Sequence, residues 1–280
     1  MKKRFFIVLG ILGALAIISG FFFRVEIKES VESFSKLSLP EPKAVTEFQK
    51  QESAPTTTPA EISLKKPSTL GASEASAKQL NRPKGETLNP KPSTLAINLN
   101  IPFASQAPFG NWDLPYQEAC EEAAAIMVHR YFSGEPLDPA TMDGELKKLI
   151  AWEEKTFGYY KDTTAEEIAR MLREYFGHSE VEVQYDFTIE DVKAALQEGH
   201  PVILPAAGRL LPNPYFRDPG PVYHALVVKG FIGEKIITND PGTRRGKDFL
   251  YDPVALLNAV HDWNEENILK GRKVMIIVRE

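Results

Sequence analysis

The sequence predicts an α+β domain in which N-terminal helices pack on an antiparallel β-sheet, preceded by one transmembrane helix and a disordered linker. Three observations predict the domain. Helical patterns dominate the first half of the region after residue 95, and short Val/Ile-rich runs dominate the second. The roughly 185 residues involved suit a single globular unit.

The chain opens MKKRFFIVLGILGALAIISGFFFR, in which Phe5 to Phe23 is an unbroken run of 19 apolar or small residues. Such a run is long enough to cross a bilayer as a helix. Lys2, Lys3 and Arg4 ahead of it favour a cytoplasmic N-terminus, with the rest of the chain outside. Residues 1–24 therefore read as a single-pass signal anchor in the cell membrane. A cleaved secretory signal is the alternative, poorly served by Ala14-Leu15-Ala16 or Ile18-Ser19-Gly20. Both readings place the domain outside the cytoplasm.

Residues 25–95 are rich in Pro, Ser, Thr, Glu and Lys, with Phe34 and Phe48 as their only aromatics. A segment so poor in apolar surface cannot offset its ordering entropy, so it reads as a flexible linker. It would hold the domain on the order of 45 Å from the membrane. Of the 33 basic and 38 acidic residues, 14 and 9 fall in the first 95, which leaves residues 96–280 with 19 and 29 and a net charge of −10. That balance disfavours nucleic acid and anionic lipid headgroups as ligands.

Within 96–280, INLNIPF alternates and ends at Pro102 and Phe103, as an opening strand does. QEACEEAAAIMVHRYF follows as a helix, with Cys120, Ala123, Ala124, Met127, Val128 and Tyr131 on one face. Asp138-Pro139 starts a second helix through ELKKLIAWEEK. Thr164 and Glu167 form a capping box for a third, which runs to about Phe176, and Thr188 with Asp191 caps a fourth. PVILPA, YHALVVKGF, EKIITND and RKVMIIVR then read as strands, with a last helix over about 253–264 before the final one.

Cys120 is the only cysteine, so no disulfide forms within the chain. It is either a buried apolar residue or a reactive thiol. A thiol attacks a carbonyl only as thiolate, so it needs a lowered pKa or an adjacent base. The free N–H groups of a helix start supply partial positive charge. His224 in YHALVV can pair with the thiol, and Asp240 in IITNDPG can hold the imidazole in the productive tautomer. Taken singly, each reads as structural: an apolar-face cysteine, a core histidine, an Asx turn. Their order together points to thiol hydrolysis. Gln106 in IPFASQ is the candidate oxyanion donor. Glu118, Glu121 and Glu122 oppose a thiolate and are expected to point outward or be neutralised. Tyr215 and Phe216, in a stiff Pro/Gly-rich loop leading to His224, are candidate substrate-binding residues. With no HExxH, paired-cysteine spacing or Gly-rich phosphate loop, neither a metal nor a cofactor is expected.

IPFASQ, the helix-opening Cys120, YHALVV and IITNDPG resemble the bacterial cysteine peptidases related to the bacteriocin-processing, double-glycine leader peptidases. The resemblance spans essentially all of 97–280. It implies a papain-like fold, Cys120 as nucleophile, His224 as base, Asp240 as orienting acid and Gln106 as oxyanion glutamine. Two departures limit it. Glu121 stands where leader peptidases carry glycine, and no ATPase motif accompanies the domain, so double-glycine specificity does not transfer. The expected function is a membrane-anchored, extracytoplasmic cysteine peptidase acting on peptides or proteins. The alternatives are an inactive peptide-binding module of the same fold and an acyltransferase using the same triad.

Overall fold

In a computed structural model, residues 39–44, 46–48 and 96–280 are described. The Val/Ile-rich runs form the strands that alternation predicts, and they pair into one antiparallel sheet. In chain order the principal elements are β1 (Ala96–Asn98), α1 (Cys120–Ser133), α2 (Pro139–Thr156), α3 (Ala165–Arg170), β2 (Val181–Tyr185), α4 (Ile189–Gln197), β3 (Val202–Ala207), β4 (Tyr223–Ile232), β5 (Lys235–Asn239), β6 (Phe249–Tyr251), α5 (Pro253–Ala259) and β7 (Val274–Val278). The sheet runs β2-β7-β3-β4-β5-β6, with β1 added to β4 beyond the end of β3. Gly230 permits that addition, because a Cβ there would lie 2.1 Å from the Ile97 carbonyl oxygen.

Local signals placed the helices well. The side chain of Asp138 accepts from the Thr141 N–H with Pro139 at the first turn. Both capping boxes, Thr164/Glu167 and Thr188/Asp191, are closed in both directions. Three boundaries differ. The first helix starts at Cys120 rather than Gln117, with a 3₁₀ turn over Tyr116–Glu118 before it. The third passes into a π-helical segment, Met171–Tyr175. The last stops at Ala259, because Val260 leaves helical geometry and bridges Ala206 while the His261 N–H donates to Pro205.

The core lies between α1 and the sheet. From Cys120 to Val128 every residue of α1 is buried, far more than one amphipathic face supplies. This helix packs against β4, the most central strand, which sets Cys120 beside the start of β4 where His224 lies.

Part of the region read as a linker lies against the domain. The Lys43 N–H donates to Asn98 and the Asn100 N–H to Lys43, both at 2.7 Å, in a parallel bridge. Phe48 packs on the core against Gly199. These residues belong to the edge of the fold and are not free tether. The rest of 25–95, and the expected membrane-spanning run at 5–23, lie outside the described residues. Among the described residues, no helix is long and apolar enough to cross a membrane.

Candidate active site

Three consecutive residues at the end of β5 tie the site together. Asn239 donates through Nδ2 to the Ile101 carbonyl at 3.0 Å, fixing the segment after β1. The Pro241 carbonyl accepts from the Gln106 N–H at 3.0 Å and from Ser105 Oγ at 3.1 Å. Between them Asp240 is fully buried and saturated with donors. Its Oδ1 accepts from His224 Nε2 at 2.8 Å and from the Gly242 N–H at 3.0 Å. Its Oδ2 accepts from Tyr251 at 2.7 Å and from Asn213 Nδ2 at 2.9 Å. Burial opposes its charge, but the attraction of His224 and bonds from His224, Tyr251 and Asn213 hold its carboxyl below the usual carboxylate range. A carboxylate accepts only, so Nε2 of His224 carries the proton of that bond and Nδ1 is left as the ring's basic nitrogen. The edge of Phe216 meets the imidazole at 5.3 Å between ring centres and fixes its plane further.

Cys120 and His224 open on one cavity of about 510 Å³. Gln106, Trp112, Tyr215 and Phe216 also line it. Cys120 is the first residue of α1, whose initial N–H groups have no partner within the helix. The Sγ–H donates to Glu121 Oε2 at 2.9 Å, and Glu121 Oε1 accepts from the Thr163 N–H at 3.1 Å. Burial first, then the charge and hydrogen bond of Glu121 and the charge of Glu122, push the thiol well up; a hydrogen bond with the Ala225 backbone acts against them. The expectation for the two glutamates resolves as burial with neutralisation. Glu121 and Glu122 point inward, at 1% and 0% exposure. Burial and mutual repulsion raise Glu121 far above the carboxylate range, and burial raises Glu122 to about 8.

The chain matches the model of the Peptidase_C39 like family over residues 98–265. It belongs to that family. A crystal structure of a C39-like peptidase from Bacillus anthracis is similar, at 17% identity and a TM-score of 0.45, covering 66% of this chain and 98% of that one. No curated protein matches.

The matched span contains every residue singled out from the sequence, and the structure gathers all six around one cavity. Asp240 alone does not line it and stands behind His224. Gln106 takes a more internal position than its expected role required. Its Nε2 donates to the Tyr116 and Gln117 carbonyls at 2.9 and 3.2 Å, which braces the turn ahead of Cys120. Tyr215 and Phe216 form the wall beside the imidazole, with Tyr215 under the Arg245 guanidinium at 4.8 Å.

Sequence reasoning missed Asn213 and Tyr251, which hold Asp240, and Trp112, which lines the same cavity as the thiol. Their only signals were the Asn-Pro turn before Tyr215 and the aromatic in PFGNW. Gly242 was missed too. A Cβ there would lie 2.8 Å from His224 Cε1, 3.2 Å from its Nε2 and 2.9 Å from Phe216 Cε1. Gly242→Ala is therefore expected to displace the imidazole and lower kcat about 100-fold, the usual consequence of a misplacement near 1 Å. Steady-state kinetics beside a thermal melt check it: a large loss of kcat with a small change in melting temperature is the expected pair.

Proposed function

We propose that this domain is a cysteine peptidase of papain-like fold, held outside the cytoplasmic membrane by residues 1–24. The observation that carries the reading is the buried His224–Asp240 bond at 2.8 Å, which leaves Nδ1 of an oriented imidazole for a thiol at a helix start in the same cavity. Cys120 transfers its proton to His224 and attacks a peptide carbonyl. His224 gives that proton to the departing amine, and water then hydrolyses the acyl thioester. The Cys120 N–H is the backbone donor to the oxyanion. Gln106 joins it by exchanging one of its two carbonyl partners for the substrate oxygen.

Glu121 gives this site a restrained resting state. While the thiol is bonded to Glu121, its proton is not on the path to His224. A small alkylating agent such as iodoacetamide should label Cys120 slowly at neutral pH, whereas a peptidyl chloromethyl ketone that fills the cleft should label it quickly and lose that speed in His224→Ala. Intact mass measurement of the full chain reads both. Glu121→Ala removes the carboxyl that accepts the thiol proton, so iodoacetamide labelling should speed up roughly tenfold. An unchanged rate would show that burial alone controls the thiol.

The same bond favours a second reading, a peptide-binding module with an inert cysteine. Under that reading neither reagent labels Cys120 until the protein unfolds, and a peptide ligand still binds.

A further inference from the structure

The cavity at Cys120 carries a charge opposite to that of the domain around it. Residues 96–280 bear a net charge of −10, yet Arg217, Arg244 and Arg245 line this cavity and no carboxylate does. The three come from the two loops that flank the imidazole: Arg217 precedes His224, and Arg244 with Arg245 follows the Asp240 turn. Among the described residues none of the three is in an ion pair. Asp240 is paired with His224 and Asp248 with Lys229.

All three arginines are exposed, and two of them have contacts that help place them. Arg245 lies on the face of Tyr215 at 4.8 Å, which limits the freedom of its guanidinium. Arg244 reaches the loop of Gly110, where a Cβ would sit in ordinary contact with Nη1 at 3.7 Å. Trp112 follows on that same loop and lines the cavity as well, at 39% exposure. The cleft thus offers planar, fork-shaped donors and aromatic surface in the cavity that holds the nucleophile. That combination suits a carboxylate carried on an extended peptide.

We infer that the substrate of this site is an acidic peptide, whose carboxylate Arg217 and Arg244 seat next to the bond that Cys120 attacks, with Arg245 completing the basic wall. The inference rests on the peptidase reading for its chemistry but not for its binding. A carboxylate can come from an Asp or Glu side chain or from a peptide C-terminus, and both present the same two oxygens to a guanidinium.

The test uses the full chain and fluorescent peptides in matched sets: Glu against Gln at positions flanking a fixed core, and a free against an amidated C-terminus. Hydrolysis is read on the native protein, and binding by anisotropy on Cys120→Ala. The Glu peptides should be preferred over the Gln peptides by about tenfold or more per seated carboxylate. Added salt should weaken the preference, and Arg217→Gln with Arg244→Gln should collapse the ratio. Preference that follows the free C-terminus instead assigns the pocket to terminal carboxylates. Equal handling of acidic and neutral peptides, or a ratio that survives in the double variant, overturns the inference. If no peptide is hydrolysed but the Glu preference persists in binding, the peptidase reading fails and the carboxylate site stands.

Discussion

Replacing Cys120 with alanine is expected to lower kcat by about 10⁴-fold or more and to leave the domain folded. No other cysteine can substitute, and in the proposed mechanism the loss of Cys120 removes the covalent route altogether. The fold should tolerate the change because the side chain is small and buried among alanines of α1 and strand residues of β4, at 4% exposure. Its main polar contact is the bond to Glu121. Losing that bond relieves a neighbouring carboxyl and does not orphan a charge, since burial already favours the neutral form of Glu121. A melting temperature within a few degrees of the parent, with peptide binding intact, is the expected companion result. Cys120→Ser is the stricter control: it keeps the geometry and substitutes a hydroxyl that ionises far less readily than a thiol. Residual hydrolysis at the parental rate in either variant would sink the peptidase assignment.

How far the sequence carries this picture depends on whether each feature is local. Helix starts were legible because a cap is decided within four residues: Thr164 and Glu167, Thr188 and Asp191, Asp138 and Pro139 each close their own first turn. The long central strands were legible because burial on both faces demands the runs of Val, Ile and Leu seen in β3, β4 and β7. Strands β2 and β6 escaped notice because they are the sheet's edges. Residues VEVQY of β2 bury only Val181 firmly, and β6 is three residues long and pairs with β5 alone. Cys120, His224 and Asp240 could be selected because their order along the chain, and not any one local setting, points to thiol chemistry. Their supports could not, because Asn213, Tyr251 and Gly242 acquire a role only once the chain has brought them to Asp240. The buried glutamates were the least legible of all. Residue type argues that Glu121, Glu122 and Glu153 face water, and nothing in EACEEAAA or AWEEK signals that two helices bury them at one depth.

Those glutamates set the pH dependence of stability. Glu122 on α1 and Glu153 on α2 are both at 0% exposure, and with both ionised no donor among the described residues reaches either carboxyl. A proton on Glu153 turns the pair into a donor and an acceptor. Burial and then the charge of Glu122 push Glu153 up to about 12, and burial lifts Glu122 to about 8. Both folded-state values lie above the ordinary glutamate value of about 4.3. The stabilisation linked to these protons is therefore complete below that value and is lost as pH rises, for Glu122 across roughly pH 4 to 8. Denaturant titrations should show stability falling from pH 5 to pH 8, with a slope near 1.4 kcal/mol per pH unit for each proton the folded state retains. The depressed carboxyl of Asp240 acts in the opposite sense, withdrawing its stabilisation as pH falls through the acid range. Stability should then be highest in mildly acidic solution. Glu153→Gln keeps the shape and gives Glu122 a permanent amide donor in place of a borrowed proton, so it should stabilise the protein at pH 8 far more than at pH 5 and flatten the slope between them. Stability that rises toward pH 8, or a slope that Glu153→Gln leaves untouched, would mean that the two carboxyls find water or a cation and do not share a proton. The same retained protons bear on catalysis: a charge released at Glu122 is felt at the Cys120 thiol, so Glu153→Gln should move the alkylation profile of Cys120 as well as the melting curve.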